Sequence, residues 1–374
     1  MTNTPPAARP ARPHFSSGPC AKPPGWSPDQ LNTQILGRSH RSALGRQRLK
    51  LCIDLMREVL MLPDNHRIGI VPASDTGAFE MAMWTMLGAR PVTALAWESF
   101  GEGWATDAVK QLQLDPTVIR ADYGKLPDLR QIDWSNDVLF TWNGTTSGVR
   151  VPDGEWISPD RGGLSFADAT SAVFAYDLPW DRIDVATFSW QKALGGEGAH
   201  GILILGPRAV DRLESYTPDR PLPKIFRLTK AGKLIEGIFT GETINTPSML
   251  AVEDAIFALE WASSVGGLHG MIARTEANAA ALDRIVSARN WLSHLSQDPV
   301  SRSKTSVCLT IDGADQDFVR RFAELLEAEG AAFDIASYRD APPGLRIWCG
   351  ATVDTADIEA LEPWLDWAWE EMKC

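Results

Sequence analysis

Apolar and polar positions along the chain follow two rhythms. From Leu49 onward, Leu51, Leu55, Val59 and Leu60 keep one helical face apolar as far as Pro63, because a spacing of three or four brings residues to the same side only in a helix. The run Ile68-Gly-Ile-Val71 is short and continuously apolar, and it leads into the polar turn Pro72-Ala-Ser-Asp-Thr-Gly77 and a second helical stretch over 79–87. That is a strand, a turn and a helix. Similar runs return at 138–142, 164–168, 183–188 and 201–205. Apolar runs without alternation suit strands buried on both faces of a mostly parallel sheet.

Later in the chain, Thr246-Pro247 reads as a helix N-cap with Pro at the first helical position, and Met249, Val252, Ile256 and Leu259 line one face of the helix it opens. Gly266-Gly267 offers a break. A long helical segment then leads to strands expected at 306–311, 332–336 and 345–349, with a helix carrying Phe318, Phe322 and Leu325 between the first two. Trp364, Trp367 and Trp369 after Pro363 predict a short final helix. The predicted fold is α/β, with an extended, unpacked N-terminal arm (1–28), a large, mostly parallel-sheet domain (29–265) and a small C-terminal α/β domain (266–374). No internal repeat is visible.

Composition narrows the function classes. With 36 Lys+Arg against 48 Asp+Glu, the 374-residue chain carries a formal charge of −12. It has no dense basic block, which argues against binding nucleic acid or an anionic membrane. No apolar run reaches the length of a membrane span, and the Pro/Ala/Arg-rich start has no signal core. The five cysteines, Cys20, Cys52, Cys308, Cys349 and Cys374, are scattered and never form a CxxC pair. They imply a reducing, cytosolic compartment without a disulfide frame, and with the scattered histidines they leave no metal site.

Two strand ends carry the most informative chemistry. The run Leu164-Ser-Phe-Ala-Asp168 ends on an acid, and Thr187-Phe-Ser-Trp-Gln-Lys192 ends on a lysine 24 residues later. Ligands in open α/β sheets sit at the carboxyl ends of strands. A lysine and an acid placed there are what a pyridoxal phosphate enzyme needs: the lysine bonds the cofactor aldehyde, and the acid keeps the pyridine nitrogen protonated. Taken singly, Asp168 reads equally as a helix cap and Lys192 as a solvated loop residue. Ser74, Asp75 and Thr76 stand where a strand gives way to a helix, a place suited to a phosphate. Trp104, one of fifteen tryptophans, lies in Gly101-Glu-Gly-Trp104, where an aromatic ring can stack on a cofactor. Gly196-Glu-Gly198-Ala-His-Gly201 matches a dinucleotide fingerprint in letters, but it precedes a strand instead of following one. His200 within it reads as structural.

With these pieces placed, the sequence resembles the phosphoserine aminotransferases, class V aminotransferases of the fold-type I pyridoxal phosphate superfamily. The likeness runs through Phe15-Ser-Ser-Gly-Pro19, Gly37-Arg-Ser-His-Arg-Ser42, Pro72-Ala-Ser-Asp-Thr-Gly77, Asn143-Gly-Thr-Thr-Ser-Gly148, Ala167-Asp-Ala-Thr-Ser171, Trp190-Gln-Lys192, Asn245-Thr-Pro247 and Gly344-Leu-Arg346. The resemblance implies Lys192 as the Schiff-base lysine and Asp168 as the pyridinium partner. It implies Trp104 stacked on the ring, Thr145 beside the 3-hydroxyl, and Ser74, Asp75 and Gln191 around the phosphate. Asn245 and Thr246 would reach that phosphate from a neighbouring subunit, giving a homodimer with shared sites. Ser17, Arg41 and Arg346, with His40 beside them, correspond to contacts with substrate carboxylate and phosphate.

The implied reaction passes an amino group from L-glutamate to 3-phosphohydroxypyruvate, giving O-phospho-L-serine and 2-oxoglutarate in serine biosynthesis. The phosphohydroxythreonine of pyridoxine biosynthesis is left open as a second substrate. Asp75 departs from the family pattern, standing where many relatives carry arginine. Arg339, or Arg41 and His40 of a second subunit, are the candidates to replace that positive contact. Alternatives are an alanine– or serine–glyoxylate aminotransferase, which needs no second anion site, and a non-catalytic binding module of the same fold. A cysteine desulfurase is disfavoured because Cys308 and Cys349 fall within expected strands.

Overall fold

A computed structural model describes residues 4–373; the first three residues of the arm and Cys374 lie outside the described residues. The large sheet has seven strands: β1 (Arg67–Pro72), β2 (Val92–Ala96), β3 (Thr117–Arg120), β4 (Asp137–Thr141), β5 (Ser165–Asp168), β6 (Val185–Ser189) and β7 (His200–Leu205). Their order across the sheet is β1-β7-β6-β5-β4-β2-β3. The pairs from β3 to β6 are parallel, and β7 alone runs against the rest.

The continuous apolar runs have a direct cause. Along β7, Ile202 and Ile204 enter one apolar cluster while Leu203 and Leu205 enter another on the opposite face. Both faces are covered by helices. Helix α1 (Ala43–Val59) packs against α5 (Met249–Ser264), while α2 (Ser74–Met86) lies against β7. Helices α3 (Ser99–Lys110) and α4 (Pro207–Ser215) complete the larger unit. The smaller unit has an antiparallel sheet of β8 (Leu292–His294), β9 (Ser306–Ile311) and β10 (Leu345–Trp348), covered by α6 (Gly267–Ser287), α7 (Gln316–Ala328) and α8 (Thr355–Lys373). Among the described residues no helix is long and apolar enough to cross a membrane.

Several expected details change. The buried face of α1 is Leu49, Cys52, Ile53, Met56 and Val59, and Leu51 and Leu55 sit at its margin. Helix α5 begins after Ser248, whose Oγ accepts the Ala251 N–H at 3.3 Å, so Ser248 and not Thr246 is the cap. Segment 332–336 makes only isolated bridges, from Phe333 to His14 and from Ala336 to Leu345, because Asp334 turns left-handed between them with φ 57°. The final helix is long, at 19 residues, and Pro363 stands inside it. Burial of Ile358, Leu361, Trp364 and Leu365 offsets the proline's cost of about 3 kcal/mol.

The arm also differs from its expectation. It is extended, but Phe15, Ser17, Cys20 and Ala21 are buried. Its backbone joins both units: the Phe15 carbonyl accepts the Trp348 N–H at 3.0 Å, and the Cys20 N–H donates to the Gln191 carbonyl at 2.8 Å. An extended segment has no internal hydrogen bonds, so burying it requires partners of this kind.

Candidate active site

A cavity of about 290 Å³ opens at the edge where the parallel strands end. Ser74, Trp104, Thr145, Asp168, Gln191 and Lys192 all line it. Lys192 follows β6 and is 8% exposed, and its Nζ donates to the Ser17 carbonyl. That approach depends on Gly18, at φ +148°, because a Cβ there would collide with Nζ. Burial holds the amine below the ordinary lysine range, and the Arg346 charge acts in the same direction; Cys20, Asp168 and Glu98 oppose it. An amine held this way reaches its nucleophilic, neutral form more readily than a solvated lysine.

Asp168 ends β5 and is buried. Its Oδ2 accepts the Trp104 indole N–H at 3.1 Å, and its Oδ1 accepts the Thr170 backbone N–H at 3.1 Å. Trp104, on α3, is braced on its other side by Phe79 at 4.6 Å between ring centroids. The Thr145 hydroxyl pairs with Ser171, and its carbonyl accepts the Ser306 hydroxyl at 2.6 Å. Gln191 keeps a buried Oε1 without a partner.

The start of α2 forms the third wall. Ala73 and Ser74 both adopt left-handed backbone, at φ 69° and 54°, and neither is glycine. Conformations of this kind cost about 1–3 kcal/mol each and concentrate at functional sites. No side chain caps the helix, so its first amides, which have no partner within the helix, are left for a ligand or solvent to satisfy. Gly201 of β7 permits the close packing, since a Cβ there would strike the Ser74 carbonyl.

Asp75 does not fit its expected place. Its carboxyl turns toward Asp168, Thr187 and Thr170, and burial first, then the Asp168 charge, raise it well above the usual carboxylate range. A side chain so placed adds no positive contact for a phosphate, so only the backbone N–H of Asp75 suits that role.

The remaining candidates fall into three places. Ser17 is buried beside the lysine, its hydroxyl 3.1 Å from the Ser306 hydroxyl. Arg346, on β10, keeps a buried Nε without a partner, and its guanidinium lies 5.6 Å from the Tyr338 ring. His40 and Arg41 line a different cavity with Arg46, Gly241, Glu242 and Thr243, and Asn245 and Thr246 are exposed on the same segment. Burial, then the Arg41 charge, lower the His40 pKa. Arg339 is a surface residue, its side chain 80% exposed against Tyr338 and Asp340. It is not among the residues that line the Lys192 cavity of its own chain.

Sequence reasoning missed Glu98. This buried acid lines the cavity and caps α3, accepting the Gly101 N–H at 2.8 Å and the Thr146 hydroxyl at 2.7 Å. Burial raises it above the usual carboxylate range despite those bonds. The signal was available, because Glu98 follows the apolar run Val92-Thr-Ala-Leu-Ala-Trp97 as Asp168 follows its own.

No protein-family model matches the chain. A phosphoserine aminotransferase of Methanosarcina barkeri is 58% identical over 369 residues, spanning 98% of this chain and 100% of the relative. The chain belongs to the phosphoserine aminotransferase family. It is accordingly a pyridoxal-phosphate-dependent aminotransferase, and family membership supports the phosphoserine transamination expected from its motifs. The crystal structure of a phosphoserine aminotransferase from Cytophaga hutchinsonii matches with a TM-score of 0.84 at 21% identity, covering 95% of this chain and 98% of that one. An alanine–glyoxylate aminotransferase from Nostoc reaches 0.81 at 17% identity over 98% and 97%. The fold is thus common to aminotransferases of different substrates and does not by itself select one.

Proposed function

We propose that this chain transfers the amino group of L-glutamate to 3-phosphohydroxypyruvate, with Lys192, Asp168 and Arg346 as its central residues. The observation that carries the reading is the convergence of a buried lysine, a buried aspartate and an unpaired helix start on one cavity at the carboxyl edge of the sheet. These residues suit pyridoxal phosphate group by group. Lys192 would hold the aldehyde end, Asp168 the ring nitrogen, and Trp104 a ring face, with Thr145 near the ring hydroxyl. The α2 amides, Ser74 and the unpartnered Gln191 amide would hold the phosphate. Bound there, the cofactor supplies an aldehyde for the amino group and a ring that accepts the electron pair left when the substrate Cα–H bond breaks.

The chain's own residues do the rest. Lys192 Nζ, kept toward neutrality by burial, takes the Cα proton and returns it. Glutamate and the phosphorylated oxo acid share one carboxylate, and Arg346 is the planar fork that would orient it. Ser17, whose carbonyl accepts from Lys192, would add a hydroxyl to the same substrate.

His40, Arg41, Asn245 and Thr246 are not among the residues that line the Lys192 cavity; His40 is buried, and the other three are exposed. In this reading they complete the site of a second copy: Asn245 and Thr246 at the cofactor phosphate, Arg41 and His40 at the substrate phosphate. In the same reading the chain divides into an arm through residue 28, a large domain through residue 265 and a small one from 266, with Gly18 and Pro19 of the arm lining the cavity beside residues of the large domain. The buried thiols of Cys20, Cys52, Cys308 and Cys349, all free, favour a reducing cytosolic setting.

An amino-acceptor panel with glutamate as donor tests the assignment. The phosphorylated acceptor is expected to exceed pyruvate and glyoxylate by at least about a hundredfold in kcat/KM, the worth of a charge-assisted phosphate contact. Equal turnover of pyruvate or glyoxylate sinks it. Co-expressing Lys192→Ala with Arg41→Ala is expected to restore part of the activity that each lacks, through mixed dimers. No restoration would place the two residues in the same subunit's site.

A further inference from the structure

The Asp75 carboxyl has an environment that phosphate binding does not explain. It is 7% exposed, and its Oδ1 has no hydrogen-bond partner. Two other buried atoms nearby, Thr170 Oγ1 and Thr187 Oγ1, also lack partners. Those two hydroxyls and the Asp168 carboxyl are the groups Asp75 faces. The charged groups acting in turn on or through Asp168 are Lys192 and Glu98, which share the same cavity wall.

Two buried carboxyls that face one another disfavour double ionisation, which sets like charges together without solvent, so a proton on one of them is stabilised. The hydrogen bonds decide which one keeps it. Asp168 accepts two N–H groups, from Trp104 and from Thr170. A carboxylate offers roughly four acceptor sites. A third taken by an acidic proton from Asp75 leaves one directed into the cavity.

We propose that Asp75 is a positioning residue for the cofactor ring, a neutral acid that donates to Asp168 and fixes its free oxygen toward the cavity. It acts through Asp168 and leaves the phosphate to the helix amides. This rests on the reading of Asp168 as the ring-nitrogen partner. Thr170 and Thr187 present neutral hydroxyls on that side of Asp75, with no cationic group among them, which suits an acid kept in its neutral form.

Calorimetric titration of the cofactor-free full chain with pyridoxal phosphate, pyridoxal and inorganic phosphate separates the possibilities. Asp75→Ala is expected to weaken pyridoxal phosphate and pyridoxal by the same factor, about tenfold, and to leave inorganic phosphate unchanged. Asp75→Asn retains an N–H donor and is expected to bind all three within about twofold of the parent. A loss confined to the phosphate-bearing ligands would overturn the proposal and return Asp75 to the phosphate site. Asp168→Asn serves as the control. If it leaves ring affinity intact, the reading of Asp168 fails; if it weakens the ring and Asp75→Ala does not, the proposal alone fails.

Melting against pH gives a second readout without any ligand. An acid whose folded pKa is raised binds more protons folded than unfolded, so its contribution to stability declines as pH rises above the unfolded value near 4. Asp75→Asn removes that decline. It is expected to melt above the parent at pH 8, with the gap closing toward pH 4. A gap independent of pH would overturn the proposal even if Asp75→Ala does not fold.

Discussion

The two ends of the parallel sheet treat buried charge in opposite ways. Where the strands begin, Asp137 is fully buried and takes two bonds from Arg212, at 2.7 and 3.1 Å, plus the Leu164 N–H at 2.8 Å. Asp184, just before β6, is bound by Arg161 through two contacts of 2.9 Å and by Arg208 at 2.8 Å. Each acid there is closed by arginine, one for Asp137 and two for Asp184. Where the strands finish, Asp75, Glu98 and Asp168 are also buried, yet among the described residues none is in an ion pair; a neutral hydroxyl, an indole and backbone amides serve Glu98 and Asp168 instead. A buried charge without a counter-charge is costly unless a ligand completes it. The scaffold end is electrostatically finished, and the cavity end is arranged to be finished by cofactor and substrate.

The contrast breaks most visibly at Lys192. Lys192→Ala is expected to lower turnover by about a thousandfold or more and to remove the visible absorbance of covalently held cofactor, while the fold persists. Retained absorbance with the cofactor still covalently attached would remove Lys192 from its role. At the opposite end, Arg212→Met is expected to leave the cavity chemistry intact but cost about 3–5 kcal/mol of stability, because Asp137 is then buried with only the Leu164 N–H. Denaturant unfolding checks this. A loss under 1 kcal/mol would show that the pair is not structurally decisive.

Arg346 belongs to the unfinished end, since its buried Nε awaits a partner. Arg346→Lys keeps the charge and loses the fork. It is expected to raise KM for glutamate and for the oxo acid together by roughly 10- to 100-fold. If only one of the two constants moves, Arg346 does not hold the shared carboxylate.

The cavity end was the more legible half in the sequence. Asp168 and Lys192 announced themselves because each is a lone ionisable residue closing an apolar run, a pattern that survives without knowing which strands are neighbours. Glu98 obeys the same rule and escaped because strand β2 was not assigned. Helix α3 was missed with it, since Ser99–Lys110 is rich in small residues and has a modest apolar stripe. The scaffold end was invisible. Asp137 and Arg212 are 75 residues apart, and nothing local to either indicates the other. Asp75 was misread for a related reason: its position at a helix start suggested an anion site, and only tertiary packing turns the carboxyl to Asp168. The reversed direction of β7 was equally hidden, because an apolar run buried on both faces reads the same in either direction.

His200 offers the smallest effect and shows a third way of handling charge at the cavity end. It opens β7, its ring 5.2 Å from Trp190, and its Nε2 accepts the Ser248 N–H at 3.1 Å at the start of α5. That bond places the ring hydrogen on Nδ1, so the imidazole is neutral. Burial lowers its pKa to about 4. A histidine whose folded pKa lies below its unfolded value of 6.5 contributes stability above pH 6.5, and that contribution is lost as pH falls toward 4. The loss is expected to be under about 1 kcal/mol at pH 6 and to grow on further acidification. Protonation would also turn Nε2 from acceptor to donor and leave the Ser248 N–H unpaired, loosening the start of α5 next to Asn245 and Thr246. His200→Gln is expected to flatten the acid limb of the melting profile between pH 6.5 and 4. An unchanged limb would place the acid sensitivity on other groups, and His200 would then be a packing residue whose charge state the fold does not use.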